Sequence, residues 1–111
     1  MGRTVQLREV AYTRSGDKGA DANVGVIART PAAFETLRHH LTEQVVAEFF
    51  KSMGVGKVDR YELPNIGAMN FVLHDILDGG GSVSLRIDAQ GKSLGQHLLE
   101  LRLELPDEAT S

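Results

Sequence analysis

The chain has no cysteine and no tryptophan, few aromatic residues of any kind (two tyrosines and four phenylalanines), and no surplus of positive charge. Without cysteine it forms no disulfide, no thiolate metal centre and no cysteine nucleophile. Lysine and arginine number 12 against 15 aspartates and glutamates, for a net charge of -3. Binding a phosphate backbone needs clustered basic residues, and these are scattered among carboxylates, so no nucleic-acid partner is expected. No apolar run approaches the roughly 18 residues of a spanning helix, and the first residues lack the apolar stretch of a secretory signal. No membrane association and a cytoplasmic location are therefore the expectation.

Named ligand motifs also fail at specific positions. Gly91-Lys92-Ser93 copies the end of a P-loop, but Arg86 stands where the leading glycine is required. Gly54-Val55-Gly56 begins a dinucleotide fingerprint that Asp59 breaks. Asp17, Asp21 and Asn23 are spaced like calcium-loop ligands, yet Ala22 replaces the turn glycine and Ala28 the bidentate glutamate. The four histidines show no ligand spacing: His39 and His40 are neighbours on a helix, and His74 and His97 stand apart. No cofactor and no metal are expected.

What is present is an ordinary globular composition, 41% hydrophobic and 24% charged in 111 residues. A chain of this size buries roughly two thirds of its unfolded surface around one core. One domain over residues 1–106 is expected, followed by a polar tail at 107–111. Thr4 to Thr13 reads as a strand whose alternation slips, which a bulge near Arg8 and Glu9 would reconcile. Asn23 to Ala28 is a second strand, and the two form a hairpin with a long polar loop at its tip.

Thr30-Pro31 is a helix start. Phe34, Leu37, Leu41, Val45, Phe49 and Met53 make the apolar stripe that follows, with Thr42 available as a second N-cap and Gly54 and Gly56 as the stop. Lys57 to Leu63 is a strand closed by Pro64. Ile66, Met69, Leu73 and Ile76 then mark a second amphipathic helix, capped by Asn65 and stopped by Gly79 to Gly81. Ser82 to Asp88 alternates as a strand. After a turn at Ala89 to Lys92, the leucines from 94 to 105 fit a strand, or a short helical turn followed by one.

These elements predict an α+β fold: a ferredoxin-like sandwich with about five antiparallel or mixed strands and two helical regions on one face. Such a sheet leaves its other face free for a partner.

Two clusters carry more chemistry than turns need. In the segment from Arg14 to Gly25, closely spaced glycines let backbone amides converge on an anion, and Lys18 adds a charge. Asp17 or Asp21 is placed to act as a base or to hold the lysine. The alternative is a hairpin loop whose Asp and Asn side chains bond their own backbone. In the second cluster, Asn70 and His74 lie four apart on one face of the expected helix and offer a polar pair to a joint pocket.

The segments RSGDKGADANVGVIAR (14–29), RYELPNIGAMNFVLHDIL (60–77) and SLRIDAQGKSLGQHLL (84–99) together resemble the small C-terminal domain of the AtuA family, the acyclic terpene utilisation proteins. The resemblance runs in order over residues 4 to 105. It implies a ferredoxin-like fold, and carries Ser15, Gly16, Asp17, Lys18, Gly19 and Asn23 onto the family's loop and Asn65, Gly67 and Asn70 onto its second motif. The expected site is thus Asp17 and Lys18 in catalysis, with Ser15, Gly16, Gly19, Asn23, Asn65, Asn70 and His74 in binding.

In that family the domain follows a larger one, whose motifs this sequence lacks. The resemblance therefore implies a small subunit working with a separately encoded large AtuA-type chain on acyl-CoA or related carboxylic metabolites of acyclic terpene catabolism. The alternatives are a phosphate- or carboxylate-binding module, alone or as a homo-oligomer, and a structural oligomerisation domain. No nucleophile with an adjacent base is visible, so an independent enzyme is not expected.

Overall fold

The computed structural model describes residues 2–76 and 93–106. The strand expected at Ser82 to Asp88, the glycine stop at 79–81, the turn at 89–92 and the polar tail lie outside these residues. In chain order the elements are β1 (Gly2–Gln6), β2 (Ala11–Lys18), β3 (Asp21–Ala28), α1 (Pro31–His40), α2 (Glu43–Phe49), β4 (Lys57–Leu63), β5 (Ala68–His74), α3 (Leu94–Leu98) and β6 (Arg102–Pro106). The fold is α+β with antiparallel sheets. Among the described residues there are six strands in two sheets, in place of a single sheet of about five: β1 pairs with β6, and four strands run in the order β2-β3-β5-β4.

The alternation slip near Arg8 has a larger consequence than a bulge. Val5, Leu7, Val10 and Ala11 are all buried, a pattern one continuous strand cannot satisfy. A 3-10 turn over Leu7–Glu9 changes the phase and divides the expected strand between the two sheets. The turn is anchored by Leu7 N–H to Leu101 O at 2.8 Å and Arg8 N–H to Leu99 O at 3.1 Å, which tie it to the segment before β6.

The helix signals correspond to what is observed. Thr30 accepts from Ala33 N–H at 3.0 Å and Thr42 from Val45 N–H at 3.2 Å, so the region is two helices broken at Leu41. The break shifts the buried phase by one residue. Phe34, Leu37 and Leu41 are buried as the stripe requires, but Val46 and Phe50 then replace Val45 and Phe49 in the core.

The helix expected from Ile66 to Ile76 is a strand. Met69, Phe71 and Leu73 point into the core, while Asn70, Val72 and His74 alternate with them and are half-buried. The 3-4-3 spacing of Ile66, Met69, Leu73 and Ile76 fits a helix equally well, and a central strand paired on both sides overrides that local periodicity. Asn65 accordingly caps no helix. It sits in the 3-10 turn Pro64–Ile66 that links β4 to β5.

The last leucines resolve as a helical turn followed by a strand, α3 and β6. Ser93 and Gln96 form a reciprocal capping box, with Gln96 N–H to Ser93 Oγ at 3.2 Å and Ser93 N–H to Gln96 Oε1 at 2.8 Å. Ala22, Val24, Val26, Met69, Phe71 and Leu73 of the sheet share one core with Leu37, Leu41, Val46, Phe50 and Leu98. No described helix is long and apolar enough to cross a membrane.

Candidate functional site

The polar segment from Arg14 to Gly25 is mostly ladder, not loop. β2 and β3 remain paired out to Lys18 opposite Asp21, leaving only Gly19 and Ala20 as the connection. Gly19 has φ of 63°, as the first position of a two-residue hairpin turn with glycine allows. Ser15, Gly16, Asp17 and Asn23 are therefore held at strand positions, where successive residues face opposite sides.

Ser15, though exposed, lies on the side of β2 towards α3 and anchors that helix. Its Oγ accepts from Gly95 N–H at 2.6 Å, and Thr13 Oγ1 donates to Gly95 O at 2.8 Å. A Cβ at position 95 would meet Ser15 Oγ at 2.6 Å, so the helix approaches this closely because position 95 is glycine. Ser15, expected to bind a ligand, is engaged in holding the fold.

Gly16 and Asn23 are cross-strand partners on the outward face. The Asn23 side chain lies over Gly16, where a Cβ would stand 2.6 Å from its Oδ1. Asn23 Nδ2 donates to Asn70 Oδ1 at 3.3 Å on the neighbouring strand. The pair leaves the Asn70 amide hydrogens as donors and Asn23 Oδ1 as an acceptor. Asp17, Asp21, Ala22, Asn23, Asn70 and Val72 line a shallow cavity of about 300 Å³.

His74 lies at the end of the same face, opposite Lys57 on β4 and just beyond the Ala22–Leu73 pair that ends the ladder with β3. Its Nε2 is 2.8 Å from Asp59 Oδ2 and its Nδ1 is 3.3 Å from Asp21 Oδ2. The hydrogen bond to Asp59 raises the His74 pKa above the ordinary histidine value, with partial burial opposing and the nearby Asp21 charge adding to it. The same hydrogen bond lowers Asp59, and Lys57 Nζ at 3.6 Å assists. With a carboxylate at each ring nitrogen, His74 has no free position from which to take a substrate proton.

Asn65 is not brought to this cluster. It lines a different cavity, of about 510 Å³, with Arg29, Thr30, Pro31, Phe34 and Ile66. Gly19 and Lys18 stand at the hairpin tip beside Asp21. Among the described residues no group of three or more His, Asp and Glu side chains is placed to hold a metal ion.

The structure adds Asp59 and Gly95, to which no role had been given, and binds Asp21 to His74. Asp59 shares one face of β4 with Lys57 and Tyr61, a signal that becomes readable only once β5 is known to be its neighbour. Arg60 was also missed: its Nη1 reaches the carbonyls of Arg38 and Leu41 at 2.8 and 2.9 Å and terminates α1.

The architecture is that of a small α+β domain of ferredoxin-like type, with its conspicuous polar groups on a sheet face. The family model described as the AtuA ferredoxin-like domain matches residues 5–104, nearly the whole chain, and the chain belongs to that family. No curated protein and no solved structure matches it.

Proposed function

We propose that this chain is the small component of an AtuA-like two-chain enzyme, in which a separately encoded large chain packs on the outward face of the four-stranded sheet. The Asn23–Asn70 cavity then lies at the junction of the two chains. The observation that carries this reading is the makeup of that face. Its polar cluster is shallow, and beside it Tyr12, Tyr61 and Leu63 are 54%, 55% and 45% exposed. Tyrosine is enriched in protein interfaces, and a reaction site needs walls that exclude water. A second chain supplies both a cover for the aromatics and the missing wall.

In this reading the substrate class, acyl-CoA or a related carboxylic metabolite of acyclic terpene catabolism, comes from the family relationship. Asn70 and Asn23 orient a carbonyl or hydroxyl group and Asp17 meets the reacting part, with Lys18, the next residue along β2, carried over as a catalytic candidate from the family motif. Asp17 and Asp21 line the cavity, so the ligand's phosphates face the other chain. The reading is tested by purifying the tagged chain from its own cells. A large partner chain in constant ratio supports it, and a strictly self-associated species removes it.

A stand-alone binding module is the second reading, favoured by the cavity being already formed in the single chain. Calorimetry with a CoA ester and with inorganic phosphate, on the wild type and Lys18→Ala, separates the two. Binding by the isolated wild type that Lys18→Ala abolishes selects the module.

A further inference from the structure

We infer that the Asp59–His74–Asp21 bridge is a proton-operated latch that fixes the β2–β3 hairpin tip to the end of β5. Only imidazolium carries a hydrogen on both ring nitrogens, so only the protonated form donates to Asp59 and Asp21 together. Asp21 begins β3 directly after the Gly19–Ala20 turn, and its second oxygen accepts from Asp75 N–H at 2.9 Å. Asp75, just past β5, has φ of 63°, a left-handed conformation that few non-glycine residues take. One carboxylate thus joins the hairpin, the histidine and the point where the chain leaves β5.

Loss of the proton leaves one ring nitrogen presenting a lone pair to a carboxylate. The arm that yields is the one to Asp21, at 3.3 Å against 2.8 Å for Asp59. Among the described residues, the charged groups at His74 are Asp59 of β4 and Asp21 of β3, with Lys57 its register partner on β4; the Asp75 carboxylate lies instead beside Gly56. Lys18 of β2 lies opposite Asp21 in the register. Lys57 pairs with Asp59, which reinforces the arm that stays. With the Asp21 arm released, the Asp75 amide is the described tie that remains between the Asp21 carboxylate and the end of β5, and the hairpin tip and its share of the cavity loosen. The latch goes beyond the two-chain reading and does not depend on it.

The test is a pH titration of the full chain by NMR, following the His74 ring nitrogens and the amides of Gly19 and Asp75. His74 is expected to titrate at higher pH than in the urea-unfolded chain, carrying both ring protons below that transition. Hydrogen-exchange protection of the Asp75 amide is expected to fall in step with it. In Asp21→Asn the Asp75 amide is expected to lose its pH-dependent protection, while His74, still bonded to Asp59, keeps an elevated transition. A His74 transition at the unfolded value, or Asp75 and Gly19 amides unchanged through it, would overturn the latch.

Discussion

Ser15 and Gly95 form one contact built from two distant residues, and substitution on either side is predicted to cost stability by a different route. Gly95→Ala forces a methyl group against Ser15 Oγ and Thr13 Cβ, at 2.6 and 3.2 Å, and overpacking of this kind costs about 1–3 kcal/mol. Ser15→Ala leaves Gly95 N–H without its acceptor, a loss of about 1 kcal/mol. Urea midpoints of both variants check this. The His74–Asp59 pair makes stability depend on pH in two directions. Because His74 is raised from 6.5, its contribution is complete below 6.5 and disappears as pH rises through the elevated value. Because Asp59 is lowered from 3.8, its contribution is complete above 3.8 and disappears as pH falls through the depressed value. Stability relative to His74→Gln is therefore predicted to be greatest between those limits, in mildly acidic solution, as thermal melts across pH would show. Ser15, Gly16 and Asn23 stand out in the sequence by residue type. Their roles do not, because each depends on a residue such as Gly95 or Asn70 that only the fold brings near.

At the scale of elements, what is local in sequence was legible and what rests on pairing was not. Thr30-Pro31 and Thr42 announce helix starts because an N-cap acts within three residues, and Thr30→Ala and Thr42→Ala are each predicted to cost about 1 kcal/mol in urea unfolding. β5 reads as a helix from the sequence because its apolar residues satisfy two periods at once, and the choice between them is made by β3 and β4 on either side. The hairpin was expected, but its long loop proved to be paired strand, since polar residues lie comfortably on an outward sheet face. Arg60 shows how an edge strand terminates a helix. Its guanidinium reaches the last carbonyls of α1, and its own N–H donates to Glu43 Oε2 at 2.8 Å. Arg60→Met keeps the side chain's length and removes the charge-assisted bonds, for a predicted loss of about 2 kcal/mol measured in the same way.

Over the whole molecule, the α+β class was readable from alternating strands and capped amphipathic segments in one short chain. The division into two sheets was not, because it turns on the few residues around Leu7 that switch the buried phase. The chain's membership of the AtuA ferredoxin-like family rests on motifs that the fold distributes between two tasks. Ser15 holds α3 to the sheet, whereas Gly16, Asn23, Asn70 and His74 occupy an outward sheet face bordered by exposed Tyr12 and Tyr61. The central claim is that this face meets a second, larger chain. Native mass spectrometry of the tagged chain, isolated from its own cells as wild type and as Tyr61→Asp, tests it most directly. The account predicts a complex of fixed composition containing one larger chain, present with the wild type and lost with Tyr61→Asp while the variant remains folded. Wild-type protein found only as monomer or self-association, or a large partner retained undiminished by Tyr61→Asp, would contradict it.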